Sequence, residues 1–332
     1  MDQYESVPYW AKVPHGITFG GGAASVAIDD DDRVYVFNRG TDPVVIFDRS
    51  GDYIGSWGHG EFDKPHGIAF GPDGDLYLVD DGGHFVQRRT LKGDLVMTLG
   101  QRGLASTAQS GVPFNRPTHV AVAADNGDIY VTDGYGNSNV HRFSSDGVHI
   151  GSWGRPGTGP GEFSLPHNIC WVANDRLAIC DRENYRVQVF ERDGTYVTEW
   201  HFHRPVAIAS GRGSDDAVYL AELPPQGVQQ SVPHIGNRVC VLDQNGVVQA
   251  TFGNPGPSDV ATQAGGVSSS AKTGLSNRFI LPHGIAVDSV GDVYVAELSG
   301  ALMAELNPAL PPGEIVSLRK WTKIKDKTSD VI

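Results

Sequence analysis

The chain has 332 residues and a formal net charge of −13, with 42 glycines, 20 prolines and 39% hydrophobic residues. That hydrophobic share supports a core and is too high for a disordered chain. The acidic balance makes nucleic acid and anionic membrane surfaces poor partners, because both attract basic proteins.

The N-terminus, MDQYESVPYWAK, has no basic start followed by an apolar run, so no signal peptide is expected. No apolar run approaches the length of a membrane span. Cys170, Cys180 and Cys240 are widely spaced and read as neither a disulfide framework nor a zinc knuckle. A cytoplasmic protein with neither membrane nor nucleic-acid partners is expected.

Six similar segments follow one another along the chain. The first opens at Ser25: SVAIDDDDRVYVFNRG gives an apolar strand, an acidic turn and a second apolar strand, and VVIFDRSGDYIGSWG continues it. The run Asp29 to Asp32 is read as a solvated turn rather than a calcium loop. PHGIAFGPDGDLYLVDD begins the second at Pro65, and PTHVAVAADNGDIYVTDG the third at Pro117. PHNICWVANDRLAICDRENYRVQVF begins the fourth at Pro166, PVAIASGRGSDDAVYLAE the fifth at Pro205, and PHGIAVDSVGDVYVAE the sixth at Pro282. DLYLVD and VQVFE alternate with the period of a strand, not of a helix.

A repeat of about 35 to 50 residues with four short strands predicts an all-β, six-bladed β-propeller. It is read as one domain, 1–332, with blades near 25–60, 65–100, 117–154, 166–201, 205–253 and 282–320. Two stretches, 223–237 and the Gly/Ser-rich run from Asn254 to about Ser276, break the rhythm as channel-rim loops or floppy insertions. Either the N-terminus or the last strand could close the ring.

In a propeller the innermost strands line a channel, and one repeat position in successive blades forms a ring with steps of about 60°. His66, His167 and His283 share the position after the opening proline, in blades two, four and six. Alternate blades place them on a triangle, and three neutral imidazoles with an open position suit zinc. The competing reading is a turn motif in which each histidine caps backbone. His15 precedes the first repeat, where Ala24 holds the equivalent position, and His119 falls one residue late, so strand alternation turns it to the other face.

Arg39 and Arg182 follow the second strands of blades one and four, which lie opposite each other. Facing guanidiniums suit a carboxylate, so a small carboxylate-bearing substrate is expected. The alternative pairs each arginine with a nearby acid such as Asp42 or Asp181. Tyr135 follows the second strand of blade three, either as a packing residue or as a base whose pKa is lowered by nearby positive charge.

At these residues the chain resembles the NHL-repeat propellers, and more closely the peptidyl-α-hydroxyglycine α-amidating lyases. IYVTDGYGNSNVHRFSSDGVHIGSWG, GEFSLPHNICWVANDRLAICDRENYRVQVF and VYVFNRG carry the resemblance, which extends from about Val26 to Glu297. It implies zinc ligands at His66, His167 and His283, substrate-binding arginines at Arg39 and Arg182, and a catalytic tyrosine at Tyr135. It also implies a structural calcium, to which the carbonyls of Val26 and Ile68 would contribute. The family's acid after the third histidine is Gly284 here, and its paired cysteines are Gly136, Ala178 and Val189. The implied activity is zinc-dependent cleavage of the N–Cα bond of an α-hydroxyglycine, giving an amide and glyoxylate. Two other classes stand beside it. One is another metal-dependent propeller enzyme, either a lactonase-like hydrolase or a lyase or dehydratase for a small 2-hydroxy acid. The other is a non-catalytic NHL interaction module.

Overall fold

The computed structural model describes residues 3–226, 235–253, 279–299 and 317–324. The interruption expected at 254–276 lies outside the described residues, as does most of the one at 223–237. Among the described residues are six antiparallel sheets of four strands each, the six blades of a β-propeller. None of their helices is long and apolar enough to cross a membrane.

The inner strands are Ala23–Ile28, Pro65–Phe70, His119–Val122, Pro166–Val172, Pro205–Ser210 and Pro282–Val287. Each packs against the inner strand of the next blade, and the sixth returns to the first. The N-terminal strand Gln3–Val7 closes the ring. It pairs antiparallel with Leu318–Ile324, so blade six takes its outer strand from the other end of the chain. Tyr4 stacks on Phe252 of blade five at 4.5 Å between centroids, and its hydroxyl lies 2.9 Å from that of Tyr219.

The core is divided rather than central. Six apolar clusters fill the six interfaces between neighbouring blades. The second strand of each blade supplies much of this filling. Its repeated tyrosine is fully buried at Tyr35, Tyr77, Tyr130, Tyr219 and Tyr294. A strand wedged between two blades buries both faces, which is why these segments are apolar throughout and not only on alternate residues.

The acid that ends the second strand has a structural task. Asp80, Asp133, Asp181, Glu222 and Glu297 are all fully buried. Each accepts a backbone N–H from the loop entering its own blade's inner strand: Lys64 at 2.9 Å, Asn115 at 2.9 Å, Ser164 at 2.7 Å, His203 at 2.9 Å and Leu281 at 2.9 Å respectively. A buried carboxylate is tolerated when its oxygens are satisfied in this way. The anchored loop then delivers the proline and the residue after it to the channel.

The aspartate run in blade one is a turn, as expected, but not a wholly solvated one. Asp29 is buried and accepts the backbone N–H groups of Asp31 and Arg33 at 3.0 and 2.8 Å. Arg212 of blade five reaches past blade six to donate to the Asp29 carbonyl at 2.7 Å.

Candidate metal centre and substrate site

His66, His167 and His283 come together. Their ring centroids stand 4.9, 4.7 and 4.7 Å apart, and one nitrogen from each lies within 4.8 Å of the other two. All three are buried. Each Nδ1 donates to a main-chain oxygen of the next blade: His66 to Thr118 at 2.6 Å, His167 to Val206 at 2.7 Å and His283 to Ala24 at 2.7 Å. Thr118, Val206 and Ala24 occupy, in blades three, five and one, the repeat position that carries histidine in the other three.

That pattern settles the tautomer. A carbonyl only accepts, so Nδ1 carries the proton and Nε2 keeps its lone pair. Burial, reinforced by Arg39, pushes the His66 pKa well below the ordinary value. Burial and Arg182 do the same to His167, and burial and His66 to His283. Three neutral imidazoles with converging lone pairs form a donor set for a divalent metal. Their carbonyl contacts are of the kind that orients histidines where they do bind a metal. As in the backbone-capping alternative, each ring binds backbone, and it does so through Nδ1, which leaves Nε2 facing the channel centre.

His15 is exposed and His119 takes no part in the cluster, both as expected. Burial pushes the His119 pKa down to about 4.

Tyr135 joins the triangle. Its hydroxyl lies 3.1 Å from Nε2 of both His66 and His167, and 3.5 Å from Nη1 of Arg182. The expected lowering of its pKa is not what the protein alone produces. Burial is the larger effect and raises it, against the opposing charges of Arg182 and Arg39.

Neither arginine pairs with the aspartate that could have absorbed it. Asp42 accepts from Ser56 at 2.7 Å, and Asp181 binds Arg186 at 2.9 Å. Arg182 is held instead by Glu183 at 2.8 Å. Arg39 donates weakly to the Pro65 carbonyl at 3.5 Å and has no carboxylate partner among the described residues. The charges of both guanidiniums add to the burial that lowers the His283 pKa.

The expected calcium site lacks a charged ligand. Val26 and Ile68 are buried in paired inner strands. A Cβ at Gly284 would stand 2.6 Å from Ser25 Cα, so no carboxylate fits there without moving blade one. Among the described residues the three histidines are the one set of His, Cys, Asp or Glu side chains placed to hold a metal.

Residues not singled out in the sequence complete the mouth. Arg116 binds the buried Asp81 through Nε and Nη2 at 2.7 and 3.1 Å, and Lys64 reaches the same carboxylate at 2.8 Å. Both cations lie over the Tyr135 ring, at 4.7 and 6.0 Å from its centroid. Arg204 binds Glu183 at 2.9 Å. A signal for them existed: Lys64, Arg116 and Arg204 each stand directly before the proline that opens a blade.

Fold and site together define a six-bladed β-propeller with a three-histidine centre at one mouth of its channel. The chain carries NHL repeats: the family model described as NHL repeat matches residues 114–143 and 163–190, segments that include Tyr135, His167 and Arg182. It is similar to human NHL repeat-containing protein 3, 32% identical over 205 residues, 58% of each chain. It is also similar to a Caenorhabditis elegans protein named probable peptidyl-alpha-hydroxyglycine alpha-amidating lyase, 34% identical over 151 residues. That match covers 44% of this chain and 42% of the nematode protein, so the chain spans about half the length of these curated relatives. A solved structure of streptogramin B lyase shares the fold, with a TM-score of 0.59 and 15% identity over 97% of this chain and 98% of that one. All three cysteines are free thiols.

Proposed function

We propose that the protein is a zinc-dependent lyase that cleaves the N–Cα bond of an α-hydroxyglycine-type carbinolamide, R-CO-NH-CH(OH)-COO⁻, to an amide and glyoxylate. The observation that carries this reading is the position of the Tyr135 hydroxyl, 3.1 Å from two metal-ligand nitrogens and 3.5 Å from Arg182. A phenol, imidazole nitrogens and a guanidinium thereby share one small space, which supports the reading.

Arg39 and Arg182 hold the substrate carboxylate. Arg39 is suited to it because no protein carboxylate competes for its guanidinium among the described residues, and a planar fork matches a carboxylate. Bound zinc would supply Lewis-acid stabilisation of developing charge on the α-hydroxyl oxygen. His66, His167 and His283 would hold it through Nε2. Tyr135 Oη, ionised as the phenolate, takes the hydroxyl proton and becomes the neutral phenol as the O–H electron pair forms the aldehyde C=O. The C–N pair leaves with the amide nitrogen, which takes that proton from the Tyr135 phenol and restores the phenolate. Arg182, whose guanidinium lies over the Tyr135 ring, and Arg39 favour the charged phenolate that this transfer starts from.

A lactonase-like reading would call for carboxylate metal ligands, and the described residues offer a histidine set instead. The test is metal quantification followed by glyoxylate release from N-acyl-α-hydroxyglycines. Zinc near one per chain with glyoxylate formed supports the reading, and a zinc-loaded protein that forms none refutes it.

A further inference from the structure

The trio Lys64, Arg116 and Asp81 has no role in the chemistry above, yet it stands one aromatic ring away from it. Asp81 is fully buried, while the side chains of Lys64 and Arg116 are 41% and 40% exposed. One carboxylate facing two cations leaves the trio with a positive charge in excess, in a chain whose net charge is −13. Its donors are not exhausted. Asp81 occupies Nε and Nη2 of Arg116, and Nη1 has no partner among the described residues. The Lys64 ammonium has three protons and one carboxylate contact.

The placement is directional. Both cations lie over the ring of Tyr135, whose hydroxyl meets the histidine nitrogens. Asp81 binds both of them. A ligand whose carboxylate meets Arg182, 3.5 Å from the Tyr135 hydroxyl, and whose remaining atoms cross the Tyr135 ring would meet these donors. Burying a fixed acid under two half-exposed cations orients them in advance, which lowers the ordering cost of binding an anion.

From this geometry we infer that Lys64 and Arg116 form a second anion subsite and that the preferred substrate is dianionic, with an acidic group on its acyl part. The inference rests on the reaction proposed above for the identity of the first carboxylate's site. Arg116 and Lys64 act on specificity through substrate binding, and no covalent step involves them.

The test has two arms. In the first, dicarboxylates from succinate to adipate and the monocarboxylate butyrate are titrated into zinc-loaded protein by calorimetry at low salt. The best dicarboxylate should bind about tenfold more tightly than butyrate, as a charge-assisted contact predicts. The variant Lys64→Gln/Arg116→Gln/Asp81→Asn removes the trio without stranding a buried charge, and should reduce that ratio to about two or less. Arg116→Gln alone, which leaves Lys64 on Asp81, should lower it about threefold and serves if the triple variant fails to fold. In the second arm, N-succinyl- and N-butyryl-α-hydroxyglycine are compared by kcat/KM, with the same change in ratio expected. Equal affinities in the unaltered protein, or a preference that survives in the variants, overturns the subsite. The first arm needs no turnover, so a failure to cleave either substrate defeats the proposed reaction and leaves the subsite to be judged by binding.

Discussion

The Nδ1 atom of His283, in blade six, donates to the carbonyl oxygen of Ala24, in blade one, at 2.7 Å. This contact crosses the seam where the propeller closes. The same relation joins blade two to blade three and blade four to blade five. Six blades thus present a threefold centre, with histidine and carbonyl acceptor alternating around the axis.

If the triangle is the metal centre, His66→Ala/His167→Ala/His283→Ala should lose zinc altogether. Atomic emission on the folded, desalted protein checks this. Zinc that stays stoichiometric in the variant would refute the assignment.

Tyr135→Phe should keep the metal and lose turnover by roughly 10²–10⁴-fold, the usual contribution of a positioned acid or base. Metal content and glyoxylate release measured on one preparation separate the two effects. Undiminished kcat removes Tyr135 from the chemistry.

Acid should destabilise the metal-free protein in part through His119. Unfolded, its imidazole takes a proton below about pH 6.5, whereas in the fold burial holds the pKa to about 4. Between those values the unfolded state binds the proton and the folded state does not, so stability falls as the pH drops. At about 1.4 kcal/mol per pH unit, His119 alone accounts for a loss of about 3 kcal/mol by pH 4. Urea midpoints of the protein and of His119→Gln from pH 7 to 4 test this. The variant should show the shallower decline.

Tyr4→Ala should lower stability by about 2 kcal/mol, because it removes the stack on Phe252 that fastens the closing strand. Tyr9→Ala, at an 81% exposed position, is the matched control and should change little. Equal midpoints for the two variants would argue against a closure role for Tyr4.

Gly284→Asp should create no calcium site. Its Cβ would meet Ser25 Cα at 2.6 Å, so the expected result is a loss of about 1–3 kcal/mol from overpacking blade six against blade one. Thermal unfolding with and without calcium gives the answer. Stabilisation by calcium would overturn the steric argument.

Much of this arrangement is legible in the chain before any coordinates. The repeated Pro-His in blades two, four and six identifies the histidine triangle, because a repeat converts sequence position into angle. Ala24 and His119 are sorted correctly by the same logic. What the repeat does not convey is how burial and charge trade at one atom. Tyr135 lies beside cations, as its position suggests, yet burial is the larger influence on its phenol. Arg116 and Asp81 were missed because their partnership joins consecutive blades, whereas comparing repeats compares each blade only with its copies. Closure by Gln3–Val7 is invisible for a related reason: QYESV matches a strand in one other sheet only through its partner Leu318–Ile324.

The acceptors that hold the three imidazoles are all main-chain oxygens. Replacing the side chains of Ala24, Thr118 or Val206 therefore leaves those oxygens chemically unchanged, and only a displacement of one blade against the next can withdraw them. The handedness of proton placement on each ring is thus inherited from the propeller's geometry instead of from any residue. Mutational drift in blades one, three and five can pass without touching it, while a shear between blades would scramble all three ligands at once.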